Sequence, residues 1–138
     1  MIALVVDDEE KDRLIIGKAL RRRFQPVIEA ESYSEAMAVF DQYRGAVQLL
    51  VADIALPDGN GCSLALAIQK QNSDLRVLFI SGQVGSEISK YYGLDVVGLH
   101  FLKKPFRSAQ FLERVEAVMN ADEKFPPLYF PKALTSSG

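Results

Sequence analysis

The sequence predicts an α/β fold: a five-stranded parallel sheet in a flavodoxin-like, doubly wound (βα)5 arrangement, with helices on both faces making three layers. Three observations predict it. Short, continuously apolar runs recur along the chain, the mark of strands buried on both faces. A longer stretch with apolar residues at helical spacing follows each of them. Gly, Pro, Asn and Asp mark the turns between them. Strand then helix, five times over, gives a parallel sheet covered on both sides, and five strands favour the order 2-1-3-4-5.

Each element follows in turn. "IALVV" (2–6) is the first strand. "KDRLIIGKALRRRF" (11–24) is a helix whose inner face carries Ile16, Leu20 and Phe24, with Ile15 and Ala19 beside them. "PVIEA" (26–30) is a short strand that Pro26 confines to an entry or edge position. "SYSE" (32–35) has the form of a capping box, opening a helix to about Tyr43 with Ala36, Met37 and Phe40 inward. "VQLLVAD" (47–53) is the third strand, "LPDGNG" (56–61) a turn, and the helix after it turns Leu64, Ala65 and Ile68 inward. "RVLFIS" (76–81) is the fourth strand. "SEISKYYG" (86–93) is a short helix capped by Gly93. "VVGLHFL" (96–102) is the fifth strand and "SAQFLERVEAVMN" (108–120) the last helix. Residues 122–138, "DEKFPPLYFPKALTSSG", break the pattern. They read as a tail or the start of a linker after a domain over 1–121.

Composition narrows the class. A chain of 138 residues, 49% hydrophobic and 25% charged, is a single soluble globular domain. A net charge of −2 gives no reason to expect direct nucleic-acid binding. The apolar runs are too short to span a membrane, and "MIALVVDD" lacks the basic start of a signal peptide. A single cysteine, Cys62, excludes an internal disulfide framework and a multi-cysteine zinc site. A cytoplasmic location is the expectation.

The chemistry lies at the strand ends. Strand one runs into Asp7 and Asp8, strand three into Asp53, strand four into Ser81, and strand five into Lys103 and Lys104 before Pro105. A parallel sheet puts all of these on one edge, where ligands of such folds bind. Three carboxylates that close cannot all remain ionised without a cation. Their hard oxygen donors suit Mg²⁺ or Mn²⁺. A lysine opposite suits a phosphoryl oxygen, and an aspartate can act as nucleophile to give an aspartyl phosphate.

With these motifs the sequence resembles the receiver domains of two-component response regulators. "LVVDDE", "LLVADIALPDGNG", "LFISG" and "FLKKPF" occur in the family's order and at suitable spacing, over about residues 1–121. The resemblance implies that Asp53 is the phosphoacceptor. It implies that Asp8 is a direct Mg²⁺ ligand, Asp7 one through water, and the main-chain carbonyl of Ala55 a further ligand. Ser81 takes the place of the switch hydroxyl and Phe101 that of the switch aromatic. Lys104, which directly precedes Pro105 through a bond that is cis in the family, takes the place of the site lysine. The implied partner is a sensor histidine kinase or a histidine phosphotransfer protein. The implied output is a change in the surface made by the fourth helix, fifth strand and fifth helix, read by a downstream protein or an output domain.

Plainer roles suit several neighbours. Glu9 and Glu10 read as first-turn residues that suit the helix dipole. Arg21, Arg22 and Arg23 read as dipole compensation at a helix end, His100 as a strand residue with a satisfied side chain, and Cys62 as a packing residue. Phe101 stands where tyrosine is commoner. Ala55 and Gln83, each two residues past a site residue, occupy positions that tune phosphoryl lifetime in the family. Gly82, Gly85, Gly93 and Gly98 predict a short, mobile fourth helix with a partner surface around Tyr91 and Tyr92. Two alternatives compete with the receiver reading. One is an interaction module with a vestigial acidic pocket, against which the complete set of Asp7, Asp8, Asp53, Ser81 and Lys104 argues. The other is a Mg²⁺-dependent phosphatase with an aspartate nucleophile, against which Ala55 argues, because such enzymes place a second acid there.

Overall fold

The computed structural model describes residues 1–82 and 98–125. The predicted fourth helix (86–93), with Gln83, Gly85, Tyr91, Tyr92 and Gly93, lies outside the described residues, as does the tail from residue 126. The main sheet is parallel, with strands β1 (Ile2–Val6), β2 (Val27–Ala30), β3 (Val47–Asp53), β6 (Arg76–Ser81) and β7 (Phe101–Lys103) in the order β2-β1-β3-β6-β7. This is the predicted 2-1-3-4-5 order. Helices α1 (Glu10–Leu20), α2 (Tyr33–Tyr43) and α3 (Gly61–Gln71), and a final helix over Ser108–Asn120, cover the two faces.

Side-chain alternation divides the core into two. Leu4, Val6, Leu50, Ala52, Val77 and Phe79 point toward α2 and α3, where they meet Ala36, Phe40, Leu64 and Ile68. Ala3, Val5, Leu49, Val51, Leu78 and Ile80 point toward α1 and the final helix, where they meet Ile16, Leu20, Phe111 and Val115. A strand buried on both faces has no polar position to spare until it leaves the sheet. The polar residues therefore collect at the strand ends.

Local chemistry sets the boundaries. Ser32 caps α2, its hydroxyl accepting from the Glu35 N–H at 3.1 Å. Asp58, distant in sequence, adds a second cap by accepting from the N–H groups of Tyr33 and Ser34 at 2.7 and 3.0 Å. These bonds stabilise the ionised form and hold the Asp58 carboxyl below its usual pKa. The final helix is closed by Arg76, whose guanidinium donates to the carbonyls of Val118 and Ala121 at 2.8 and 2.7 Å. Phe125 packs on the core face of α2 and α3, so the described start of the tail lies against the domain.

Several predicted details change. Helix α1 stops at Leu20, and Phe24 is buried beyond its end. Ile15 lies on its outer flank and is 41% exposed. Two of the three arginines make side-chain contacts past the helix end: Arg21 pairs with Glu29 at 2.9 Å, and Arg23 reaches Glu116 of the final helix. Strand β7 begins at Phe101: residues 98–100 of the predicted fifth strand form a bend and turn, and residues 96–97 of it lie outside the described residues. His100 lies in that turn. Its Nδ1 bonds the Val77 carbonyl at 2.9 Å, while its buried Nε2 has no partner among the described residues. The "LPDGNG" turn is a small hairpin of β4 (Ala55–Leu56) and β5 (Gly59–Asn60), and Asn60 caps α3 by accepting from Ser63 N–H.

Gly61 joins this hairpin to α3 under tight constraint. Its N–H donates to the Ile54 carbonyl at 2.9 Å. A Cβ at this position would lie 2.4 Å from the Asp53 carbonyl oxygen. Main chain cannot yield as a flexible side chain can, so a methyl group here displaces the hairpin from the end of β3. Gly61→Ala is expected to lower stability by about 1–3 kcal/mol, the range for overpacking, measured by urea denaturation. A change below about 0.5 kcal/mol, the range of an indifferent surface site, would contradict the close approach.

Candidate functional site

The parallel ladders determine which strand ends meet. Val6 is in register with Ala52, so Asp7 and Asp53 leave adjacent strands at the same level. The Asp7 N–H donates to the Ala30 carbonyl at 3.1 Å, which keeps the chain in line as it leaves β1. Ser81 is in register with Lys103, and the Lys104 N–H donates to the Ser81 carbonyl at 2.8 Å. The ladder thus extends one residue past β7 and brings Lys104 toward the centre of the edge. The Lys104–Pro105 peptide bond is cis.

The carboxylates of Asp7, Asp8 and Asp53 converge, offering oxygen atoms within 4.8 Å of one another. Asp7 is fully buried, Asp53 is buried and Asp8 is exposed. One Asp7 oxygen accepts from the Glu9 N–H at 2.9 Å, and the other accepts from the Lys104 ammonium at 2.8 Å. Asp53 is held similarly: Oδ1 accepts from the Ala55 N–H at 3.0 Å and Oδ2 from Lys104 at 2.9 Å. The Ser81 side chain is buried at the end of β6. Phe101 is half-buried against the α2–α3 side of the core. The residues singled out in the sequence therefore gather at one edge, apart from Phe101, whose ring belongs to the core.

Three further residues take part. Asp12, in the first turn of α1, brings a third carboxylate to Lys104 at 2.9 Å. Arg13 is buried, and its guanidinium donates to the Asp7 carbonyl at 2.9 Å while pairing with Glu29 and Glu31 at 3.4 and 3.2 Å. It fixes the main chain beneath the acidic pair. The neighbouring Asp12 carboxyl raises the Glu9 pKa. The spacing of Glu9 to Asp12, i to i+3 at a helix start, signals that they are neighbours. Nothing local signals that Lys104 reaches them.

Electrostatics follow from this packing. Burial raises the Asp53 pKa, and the Lys104 bond, the Lys104 charge and the Ala55 N–H oppose that rise without cancelling it. Burial acts on Lys104 in the other direction, but its bonds to Asp7, Asp53 and Asp12 outweigh burial and raise its pKa, so it remains charged. Burial acts to raise the Asp12 pKa, and the contacts with Lys104 and Glu9 turn the net shift downward. Among the described residues, the carboxylates of Asp7, Asp8, Asp12 and Asp53 outnumber the Lys104 ammonium by three negative charges. An all-oxygen cluster of this charge fits a hard divalent cation such as Mg²⁺ or Mn²⁺.

Comparisons with known proteins agree with this geometry. A family model described as the response regulator receiver domain matches residues 3–116. The chain is 28% identical over 120 residues to the sensor kinase CckA of Brucella abortus, covering 87% of this chain and 13% of that protein. It is 30% identical over 118 residues to the phosphate regulon transcriptional regulatory protein PhoB of Pseudomonas aeruginosa, covering 84% of this chain and 50% of that protein. The chain therefore spans half or less of these curated relatives. Among solved structures, the non-phosphorylated HemR receiver domain from Leptospira biflexa matches with a TM-score of 0.72 at 33% identity, covering 93% of this chain and 98% of that one.

Removing the Lys104 ammonium leaves buried charge without its partner. Lys104→Met is expected to cost about 1–3 kcal/mol at pH 7 without divalent cations, less than for a fully buried pair because the site is open on one side. The deficit has a definite pH dependence. Without Lys104, burial and Asp7 raise the Asp53 pKa further, so the folded state binds a proton more tightly than the unfolded state. The variant should therefore recover stability as pH falls from 7 toward the unfolded value of about 4. Urea titrations at several pH values check this. A deficit that is constant or grows on acidification would contradict it.

Proposed function

The chain belongs to the response regulator receiver family, and on that premise we propose that it is a phosphorylatable switch that accepts a phosphoryl group on Asp53. One observation carries the proposal: Lys104 bonds Asp7 and Asp53 together at the end of the sheet, with Asp8 completing the acidic cluster. The proposed donor is a phosphohistidine on a sensor kinase or a phosphotransfer protein. The Asp53 carboxylate attacks phosphorus in line, the new P–O bond forms as the P–N bond breaks, and the imidazole nitrogen leaves with the electron pair. Lys104 pairs with a phosphoryl oxygen, and the Ala55 N–H holds the oxygen of Asp53 that it already bonds.

Asp8, Asp53 and the Ala55 carbonyl are the proposed ligands of Mg²⁺, with Asp7 acting through water. The ion supplies neutralisation of charge that builds on the phosphoryl oxygens. Ser81 is the proposed switch hydroxyl and Phe101 the aromatic ring that moves with it. The response is a two-state change of the surface around β7 and the final helix. The proposed readers are a downstream protein or an output domain. A cytoplasmic location and a domain over 1–121 belong to the same proposal. No described helix is long and apolar enough to cross a membrane.

The protein treated with Mg²⁺ and acetyl phosphate is expected to gain the mass of one phosphoryl group, read by intact mass spectrometry. Asp53→Asn should abolish the gain. No gain in the wild type would overturn the mechanism, and an undiminished gain in the variant would overturn the site.

A further inference from the structure

Lys104 makes a contact that this chemistry does not use. Besides Asp7 and Asp53, its ammonium bonds Asp12 at 2.9 Å. Hydrogen bonds to Asp7 and Asp53 engage two of the three N–H donors of the ammonium, and Asp12 approaches the same nitrogen as an ion partner. A phosphoryl oxygen on Asp53 therefore competes with the carboxylates that stay ionised, Asp7 and Asp12, for the same ammonium. The three differ in what release costs. The Asp7 side chain is 0% exposed, that of Asp53 11% and that of Asp12 30%. A buried carboxylate that loses its cation is left as an unpaired charge in a dry environment, which is costly. Asp12 is the most open to water and rehydrates most readily. It also stands on a different element, in the first turn of α1.

We propose that Asp12 is a positioning residue that holds the Lys104 ammonium toward α1 in the unmodified domain and gives it up when a phosphoryl oxygen arrives on Asp53. The inference rests on the receiver reading above and adds to it a built-in competitor. Asp12 slows phosphoryl acceptance by competing for the charge that the phosphoryl oxygens need. Its charge also opposes the arriving phosphoryl group. Neutralising Asp12 leaves Lys104 bound to Asp7 and Asp53 with one fewer negative charge competing for it.

The test measures phosphorylation at saturating Mg²⁺ and acetyl phosphate, following the initial rate by intact mass for the wild type, Asp12→Asn and Asp12→Glu. Asp12→Asn is expected to raise the limiting rate by about two- to fivefold, the weight of one partly exposed ion pair. Asp12→Glu restores the carboxylate and is expected to return the rate to the wild-type level, which a purely structural role for Asp12 would not require. An Asp12→Asn rate equal to or below wild type overturns the inference while leaving the receiver reading intact. So does an Asp12→Glu rate as fast as that of Asp12→Asn. A wild type that gains no phosphoryl mass overturns the receiver reading and the inference together.

Discussion

The ammonium of Lys104 meets the carboxylates of Asp7, Asp12 and Asp53 at 2.8–2.9 Å, and the rest of the site is arranged around that contact. Asp7 and Asp53 emerge from neighbouring buried strands with little water to solvate them. The lysine is the compensating charge that makes this tolerable. It offsets only part of the negative charge, because Asp8 also joins the cluster. The remaining excess suits the site to a cation and to the transfer of an anionic group, and it distinguishes this edge of the sheet from a set of helix caps.

Main-chain bonds deliver these groups more than side-chain packing does. Asp7 is aligned by its N–H on Ala30 and by Arg13 beneath its carbonyl. Asp53 is held by the Ala55 N–H, and the close approach of Gly61 keeps the hairpin under the end of β3. Lys104 is placed by continuing the ladder onto Ser81. The two-sided core fixes the strands, their register fixes which ends are level, and level ends put opposite charges within bonding distance.

Much of this could be read from the sequence. Strands such as 47–53 and 76–81 are legible because burial on both faces removes polar residues until the strand ends, so Asp53 and Ser81 mark their own boundaries. Asp7, Asp8, Asp53 and Lys104 could be grouped because parallel strands share one carboxyl edge. Asp12 could not, because its link to Lys104 depends on where a long side chain runs across two elements. Arg13 and Asp58 were hidden for the same reason: each bonds to segments distant in sequence. The start of β7 was misread because Val96, Val97, Leu99 and Phe101 look like one apolar run. Residues 98–100 nevertheless form a bend and turn, and His100 sits in it.

The central claim is that the strand-end carboxylates, incompletely balanced by Lys104, form a site for one hard divalent cation. Isothermal titration of metal-free protein with Mg²⁺ at neutral pH tests it most directly. The account expects one saturable site in the wild type and its loss in Asp8→Ala, which removes the exposed carboxylate of the cluster and leaves the Lys104 contacts in place. No saturable binding in the wild type, or undiminished binding in Asp8→Ala, would contradict it.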